Sequence, residues 1–213
     1  NTFTLPDAHF DDLGSDGRCI NNIAFTPDGQ WGFVGNPWFN DLLAFNIPNY
    51  SLKPYLHIAS EPHTGSSVSR VAVSPDGTRV LVSAILTNNV YVVPINYTAS
   101  ALQFGDPGTI HDSAGYADWD GYNNIEVLDN NTAFIGSWRS NELVQLNYRF
   151  ASIASFYNTA DSPEQITLTP DGRFLAVTCV SPGNEVDIFA TNPMAINVPF
   201  LRSSTTEFTG YGI

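Results

Sequence analysis

Three of the four histidines, His9, His63 and His111, fall in polar stretches that also carry Asp11, Asp12, Glu61 and Asp112. Imidazole titrates near neutrality, so this set could hold a divalent metal or move protons as a general acid–base system. Arg70 supplies a permanent positive charge able to clamp a carboxylate. His9, His63, His111 and Arg70 are therefore the catalytic candidates, although no spacing-defined motif joins them and scattered loop histidines are ordinarily just solvated. His57 lies on a strand and reads as packed or exposed. In Asp118-Trp-Asp120-Gly121-Tyr-Asn123, oxygen ligands stand at alternate positions around a glycine, as in a calcium loop. That makes Asp118, Asp120 and Asn123 metal candidates for Ca2+ or another divalent ion. Calcium takes about 6–8 oxygens, however, and a turn held by Asp side chains is the simpler account. Trp38 and Trp138, with Arg139 beside the latter, could stack on sugar rings or a partner's side chain, or fill gaps between packed sheets. Asn22, Asn124 and Gln165, together with Arg70, stand just before apolar segments and offer polar donors for a ligand. No nucleophile elbow, phosphate-cradling glycine loop or dinucleotide fingerprint is present.

What must position these groups is a repeat. IAFTPDGQWGFVGN begins at Ile23, VAVSPDGTRVLVSA at Val71, ITLTPDGRFLAVTC at Ile166, and a worn copy, IEVLDNNTAFIGS, at Ile125. Each copy alternates apolar with small or polar residues, meets an Asp-Gly or Asp-Asn turn, then alternates again, which is the pattern of a β-hairpin. Past each turn comes an asparagine that opens a third strand: Asn40, Asn88, Asn141 and Asn184. A fourth strand follows, expected near 55–59, 101–104, 153–157 and 198–202. Four antiparallel strands every ~40–50 residues make a β-propeller blade. The fold class is thus all-β, a β-propeller of four-stranded antiparallel blades over approximately 19–63, 67–112, 121–160 and 164–203. The Pro-Asp-Gly turns face one end of the propeller. The loops between second and third strands and the blade-to-blade crossovers, where His9, His63 and His111 are expected, face the other, upper end, where binding and catalysis in propellers collect.

The pattern V-A-V-S-P-D-G-x-R-V-L-V followed by N-N-V-Y-V-V resembles the SPDG or YVTN-type propeller repeats of bacterial and archaeal surface and periplasmic proteins and of lactonase-like propellers. The resemblance spans nearly the whole chain from residue 19 and rests on turns and strand cores, so it implies a fold rather than an activity. Residues 1–6 and 208–213 read as strands of a flanking or shared blade. We expect the single propeller domain, residues 1–213, to be part of a larger ring of about 6 to 8 blades. A compact five-bladed ring and a closed four-bladed ring stapled by Cys19–Cys179 are the alternatives.

Hydrophobic residues make up 43% of the 213 and charged ones 14%, which excludes a disordered chain, and 16 Gly with 14 Pro exclude a coiled coil. No apolar run is long enough for a membrane helix. With 8 Lys+Arg against 21 Asp+Glu the net charge is −13, a field that repels nucleic acid and leaves metal ions, cationic partners and neutral ligands such as sugars. Three N-x-[ST] sequons, at Asn49, Asn96 and Asn130, and a first residue that is not Met fit an extracellular, surface or periplasmic protein that has lost a signal peptide, or a chain that starts mid-protein. The expected function is a binding module that takes a glycan, small molecule or protein on its upper face, with the rest of its own ring as a further partner. The competing expectation is an enzyme of lactonase- or lyase-like type with a His/Asp/Arg site at the channel mouth, and the third a subunit supporting a quinone or haem protein.

Overall fold

Each repeat opens on a strand that ends at a hydroxyl residue. Thr26, Ser74 and Thr169 donate that hydroxyl to the turn aspartates Asp28, Asp76 and Asp171 at 2.6 Å. The same oxygens accept the backbone N–H of Trp31, Arg79 and Phe174 as the chain returns. Gly29, Gly77 and Gly172 close the turns at φ of 71°, 68° and 66°, a left-handed backbone that glycine adopts without penalty. The worn copy has no such glycine. There Asp129 accepts from the N–H groups of Asn131 and Thr132, both at 2.8 Å, and the Tyr148 hydroxyl donates to the Asp129 carbonyl at 2.6 Å.

The computed structural model describes residues 22–36, 40–49, 51–58, 68–84, 89–111, 122–138, 140–180, 185–191 and 194–200, with side chains for all but 52–55, 69, 122, 123 and 194–200. No helix occurs among the described residues, and the strands form four antiparallel sheets, the blades of a β-propeller. Blade 1 holds β1 (Ile23–Phe25), β2 (Trp31–Asn36), β3 (Asp41–Asn46) and β4 (Ser51–His57) in sequential order. Blade 3 holds β10 (Tyr122–Val127), β11 (Thr132–Ser137), β12 (Glu142–Asn147) and β13 (Ser152–Asn158), and blade 4 β14 (Pro163–Leu168), β15 (Phe174–Cys179), β16 (Glu185–Thr191) and β17 (Met194–Phe200).

Blade 2 departs from the expected plan. Its β5 (Val68–Val73), β6 (Arg79–Ala84) and β7 (Asn89–Tyr97) are regular, but the outer strand comes in two pieces, β8 (Leu102–Phe104) and β9 (Gly108–His111). Both pair with β7, on Ile95–Tyr97 and Asn89–Val92 respectively. Gly105 donates to the Pro94 carbonyl at 2.8 Å and Pro107 has no N–H to give, so the ladder breaks between the pieces. His111 consequently ends a strand instead of lying in a crossover loop. The segments 1–6 and 208–213 lie outside the described residues.

The sheets pack face to face. Trp31, Phe33, Leu42 and Ala44 of blade 1 bury against Val71, Val80, Val82 and Tyr91 of blade 2. Leu81, Val90, Val92 and Ile110 of blade 2 meet Ile125, Ile135, Val144 and Leu146 of blade 3. Phe134 and Leu143 of blade 3 meet Ile166, Leu175, Val177 and Phe189 of blade 4. The first strands are neighbours in the order β1, β5, β10, β14 around the hub. Polar clips add to this packing: the Trp31 indole N–H donates to the Thr98 carbonyl at 2.8 Å, and Asn46 Nδ2 to that of Ala99 at 2.9 Å. Cys179 is a buried free thiol, so the staple of the closed four-bladed alternative is not formed. Val82, fully buried between blades 1 and 2, tests the packing. Val82→Asp strands a charge there at a cost of several kcal/mol, about the whole stability of a domain, and thermal melts should show no cooperative transition.

Candidate functional site

Around the hub, the residue before the first-strand core position of blades 1 and 3 reaches the next blade. Asn22 Nδ2 donates to the Val71 carbonyl at 2.8 Å and its Oδ1 accepts from the Val71 N–H at 2.8 Å, so one side chain clips the backbone of the neighbouring blade. Asn124 repeats the device, donating to the Ile166 carbonyl at 3.1 Å and to Gln165 Oε1 at 2.9 Å. The amides that the sequence offers to a ligand thus hold blades together. Arg70, the corresponding residue of blade 2, is half-buried, and burial draws its guanidinium below the ordinary value while the negative charge of Glu164 opposes the shift.

One hub residue escaped the sequence reading. Glu126 pairs with Phe134 in the register where Ala24 pairs with Phe33, Ala72 with Leu81 and Thr167 with Ala176. Blade 3 therefore sets a carboxylic acid, on the Phe134 face turned towards blade 4, where the blades before it carry alanine. Burial raises its pKa from 4.5 to about 7, which places it in the range of an acid–base group. Stacking the repeats in register would have exposed the odd residue.

At the upper end, the loop between β11 and β12 carries Trp138, whose indole is 45% exposed. The loop is braced. Ser140 donates to Ser137 Oγ at 2.6 Å, Asn141 Nδ2 donates to Asp161 at 2.8 Å, and Asn141 Oδ1 accepts the Ser162 N–H at 2.8 Å. Asn141 has φ 56° and its counterpart Asn40 has φ 55°. Asparagine tolerates this left-handed conformation better than other residues bearing a Cβ, which explains why it opens the third strand at these two positions. Trp38 and Arg139 lie outside the described residues.

The two described histidines, His57 and His111, lie on the outer edges of different blades. His111 Nδ1 pairs with Asn89 Oδ1 at 2.7 Å on the outer edge of blade 2. From the first strand, where Arg70 sits, β6 and β7 intervene, a separation of about 14 Å at ordinary strand spacing. In blade 1 the equivalent pair is His57 Nδ1 with the buried Asp41 Oδ1 at 2.8 Å. Both histidines end an outer strand and meet the first residue of the third strand, so His57 also has a defined partner. His9, His63, Asp118 and Asp120 fall outside the described residues, as does the Asn123 side chain, and among the described residues no group of His, Cys, Asp or Glu is placed to hold a metal. Burial pushes the Cys179 thiol up to about 12, which leaves no thiolate for nucleophilic chemistry near neutrality.

No protein-family model and no curated protein matches the chain. Among solved structures, it is similar to a protein from Lactobacillus plantarum at TM-score 0.68 and 15% identity, with 84% of this chain and 54% of that one covered. It is also similar to a functionally unknown protein from Desulfotomaculum acetoxidans at TM-score 0.66 and 18% identity, covering 84% and 55%. A third is the hydrazine synthase of Kuenenia stuttgartiensis, at TM-score 0.64 and 18% identity, covering 84% and 49%. Likeness at these identities establishes the propeller fold and not an activity. The chain spans about half the length of these structures.

Glu126 gives a pH signature. Its pKa is raised on folding, so the folded chain holds the proton more tightly than the unfolded one, and its contribution to stability is lost as pH climbs from 4.5 through about 7. Glu126→Gln should flatten that part of the melting-temperature profile. Above pH 7 the variant should exceed the parent by roughly 1–2 kcal/mol, since water still reaches part of the group. Parallel profiles for the two proteins would remove Glu126 from the site.

Proposed function

We propose that this chain is a binding module of the SPDG or YVTN repeat class, secreted or displayed at a surface, whose upper face takes a glycan, with small molecules and proteins as the alternative ligands. The observation that carries this reading is the exposed Trp138 indole on a loop braced by Asn141, Asp161 and Ser162. A rigid, exposed aromatic plane binds the apolar face of a sugar ring at little entropic cost. The net charge of −13 favours neutral or cationic ligands over nucleic acid. The sequon residues Asn49, Asn96 and Asn130 are all exposed, in keeping with secretion. A divalent ion and the remainder of a larger ring stay within the proposal as a cofactor and a partner that the residues named earlier would serve.

The enzymatic alternative of lactonase- or lyase-like type draws support from a single feature, the near-neutral titration of Glu126 beside the hub. It loses support from His111, which lies on the outer edge of its blade. A glycan array probed with the whole chain should return defined saccharides, and each should quench the tryptophan fluorescence on titration. Trp138→Ala should weaken that binding at least tenfold, about 1.4 kcal/mol, with the melting temperature unchanged because the indole is exposed. Undiminished affinity in a folded Trp138→Ala protein would refute the reading.

A further inference from the structure

Trp138 has a counterpart on the neighbouring blade. Ser137 and Cys179, which end β11 and β15, are both buried, and the residues that follow them, Trp138 and Val180, are 45% and 37% exposed. The two ladders finish alike at this level: Ser137 pairs with Glu142 and Cys179 with Glu185. Trp138 and Val180 therefore hold the same place in successive blades. Packed sheets stand about 10 Å apart, so these two apolar posts are separated by more than one pyranose ring.

The crossover from β13 to β14 bridges the posts. The Ser162 N–H donates to Asn141 Oδ1 in the Trp138 loop at 2.8 Å, and the Ser162 carbonyl accepts the Val180 N–H at 3.2 Å. Ser162 is held at φ 58°, a left-handed conformation that a residue with a Cβ keeps only where its surroundings impose it. Pro163 is buried next to it, against Gly136. Asp161 stands exposed on the same segment. Its Oδ1 accepts from Asn141 Nδ2 at 2.8 Å, and its Oδ2 makes no hydrogen bond among the described residues. A carboxylate oxygen near an aromatic plane is suited to accept hydroxyls from a sugar whose apolar face is stacked. Charge narrows the ligand further: Asp161, Glu142, Glu164 and Glu185 stand at the upper ends of blades 3 and 4, against Arg139 in the sequence of the Trp138 loop. That excess disfavours sialylated, sulfated and uronic-acid chains.

We propose that the seam between blades 3 and 4 is a row of subsites for a linear, uncharged, β-1,4-linked oligosaccharide of at least three residues, with one ring on Trp138 and the next but one on Val180. This rests on the glycan-binding reading of Trp138 and adds to it the length and linkage of the chain. Successive residues of a β-1,4 chain turn their faces alternately, so every second ring presents the same apolar face along one side of an extended ribbon. The separation of the posts leaves room for the ring between them, whose hydroxyls Asp161 accepts.

Calorimetric titration of the whole chain with β-1,4 chains of one to six residues, built of glucose, mannose or N-acetylglucosamine, tests this. Affinity should rise roughly tenfold between two and three residues in one of the series and change little beyond. Val180→Ser should lower the trisaccharide affinity by about threefold and leave disaccharide affinity unchanged, because only the longer chain reaches that post. Val180→Trp should tighten the trisaccharide, and both variants should keep the parent melting temperature. A disaccharide that binds through Trp138 with no gain from a third residue would overturn the row of subsites and leave the Trp138 reading standing. So would a trisaccharide affinity that neither folded Val180 variant alters, or binding confined to saccharides outside these series. If no saccharide binds at all, both readings fall.

Discussion

Sheet-on-sheet burial between successive blades is the constraint on which the molecule depends. A four-stranded sheet of this size cannot stand alone, because both of its faces are apolar and each is covered only when a neighbour stacks against it. Between blades 1 and 2 the cover includes Trp31, Phe33 and Leu42 on one side and Val71, Val80 and Val82 on the other, all essentially out of water. At about 25 cal/mol per Å² of apolar surface, this burial outweighs any single polar contact at the hub. The asparagine clips then set the angular position of one first strand against the next, a job that packing alone does loosely. The upper loops inherit their rigidity from this scaffold.

Much of this was legible in the chain because turns demand particular residue types. Glycine takes the left-handed positions 29, 77 and 172 without penalty, and asparagine suits 40 and 141, so the repeat advertises itself at those points. Strand cores are equally visible, since period-two alternation must be kept wherever both faces are covered. The roles of individual polar residues were hidden for a different reason. Whether Asn22 faces a ligand or the backbone of Val71 depends on the neighbouring blade, which no local pattern encodes. His111 was misplaced because the Gly105–Pro107 break lets the outer strand resume, and an outer strand with a gap has no sequence period. Glu126 gave a signal only when compared with Ala24 and Ala72 in register.

The polar residues divide between two regions with different chemistry. At the hub, Arg70 and Glu126 are removed from much of the water, so their protonation responds to burial. On the rim, His57 and His111 are tied through Nδ1, which fixes the ring orientation and leaves Nε2 as the other interacting atom. Trp138 lies on neither, and its loop is the place where an apolar plane meets solvent under firm backbone control.

The interrupted outer strand of blade 2 has a consequence for the chain's behaviour in crowded solution. Blades 1, 3 and 4 each finish with a strand of 7 residues, whereas blade 2 finishes with pieces of 3 and 4. A long, straight border of unpaired amides is a template on which foreign strands add and from which fibrils grow. Gly105 and Pro107 deny blade 2 such a border, so uncontrolled stacking through β-addition has its poorest foothold there, and the uninterrupted outer strands of the other blades are where protection by other means is required.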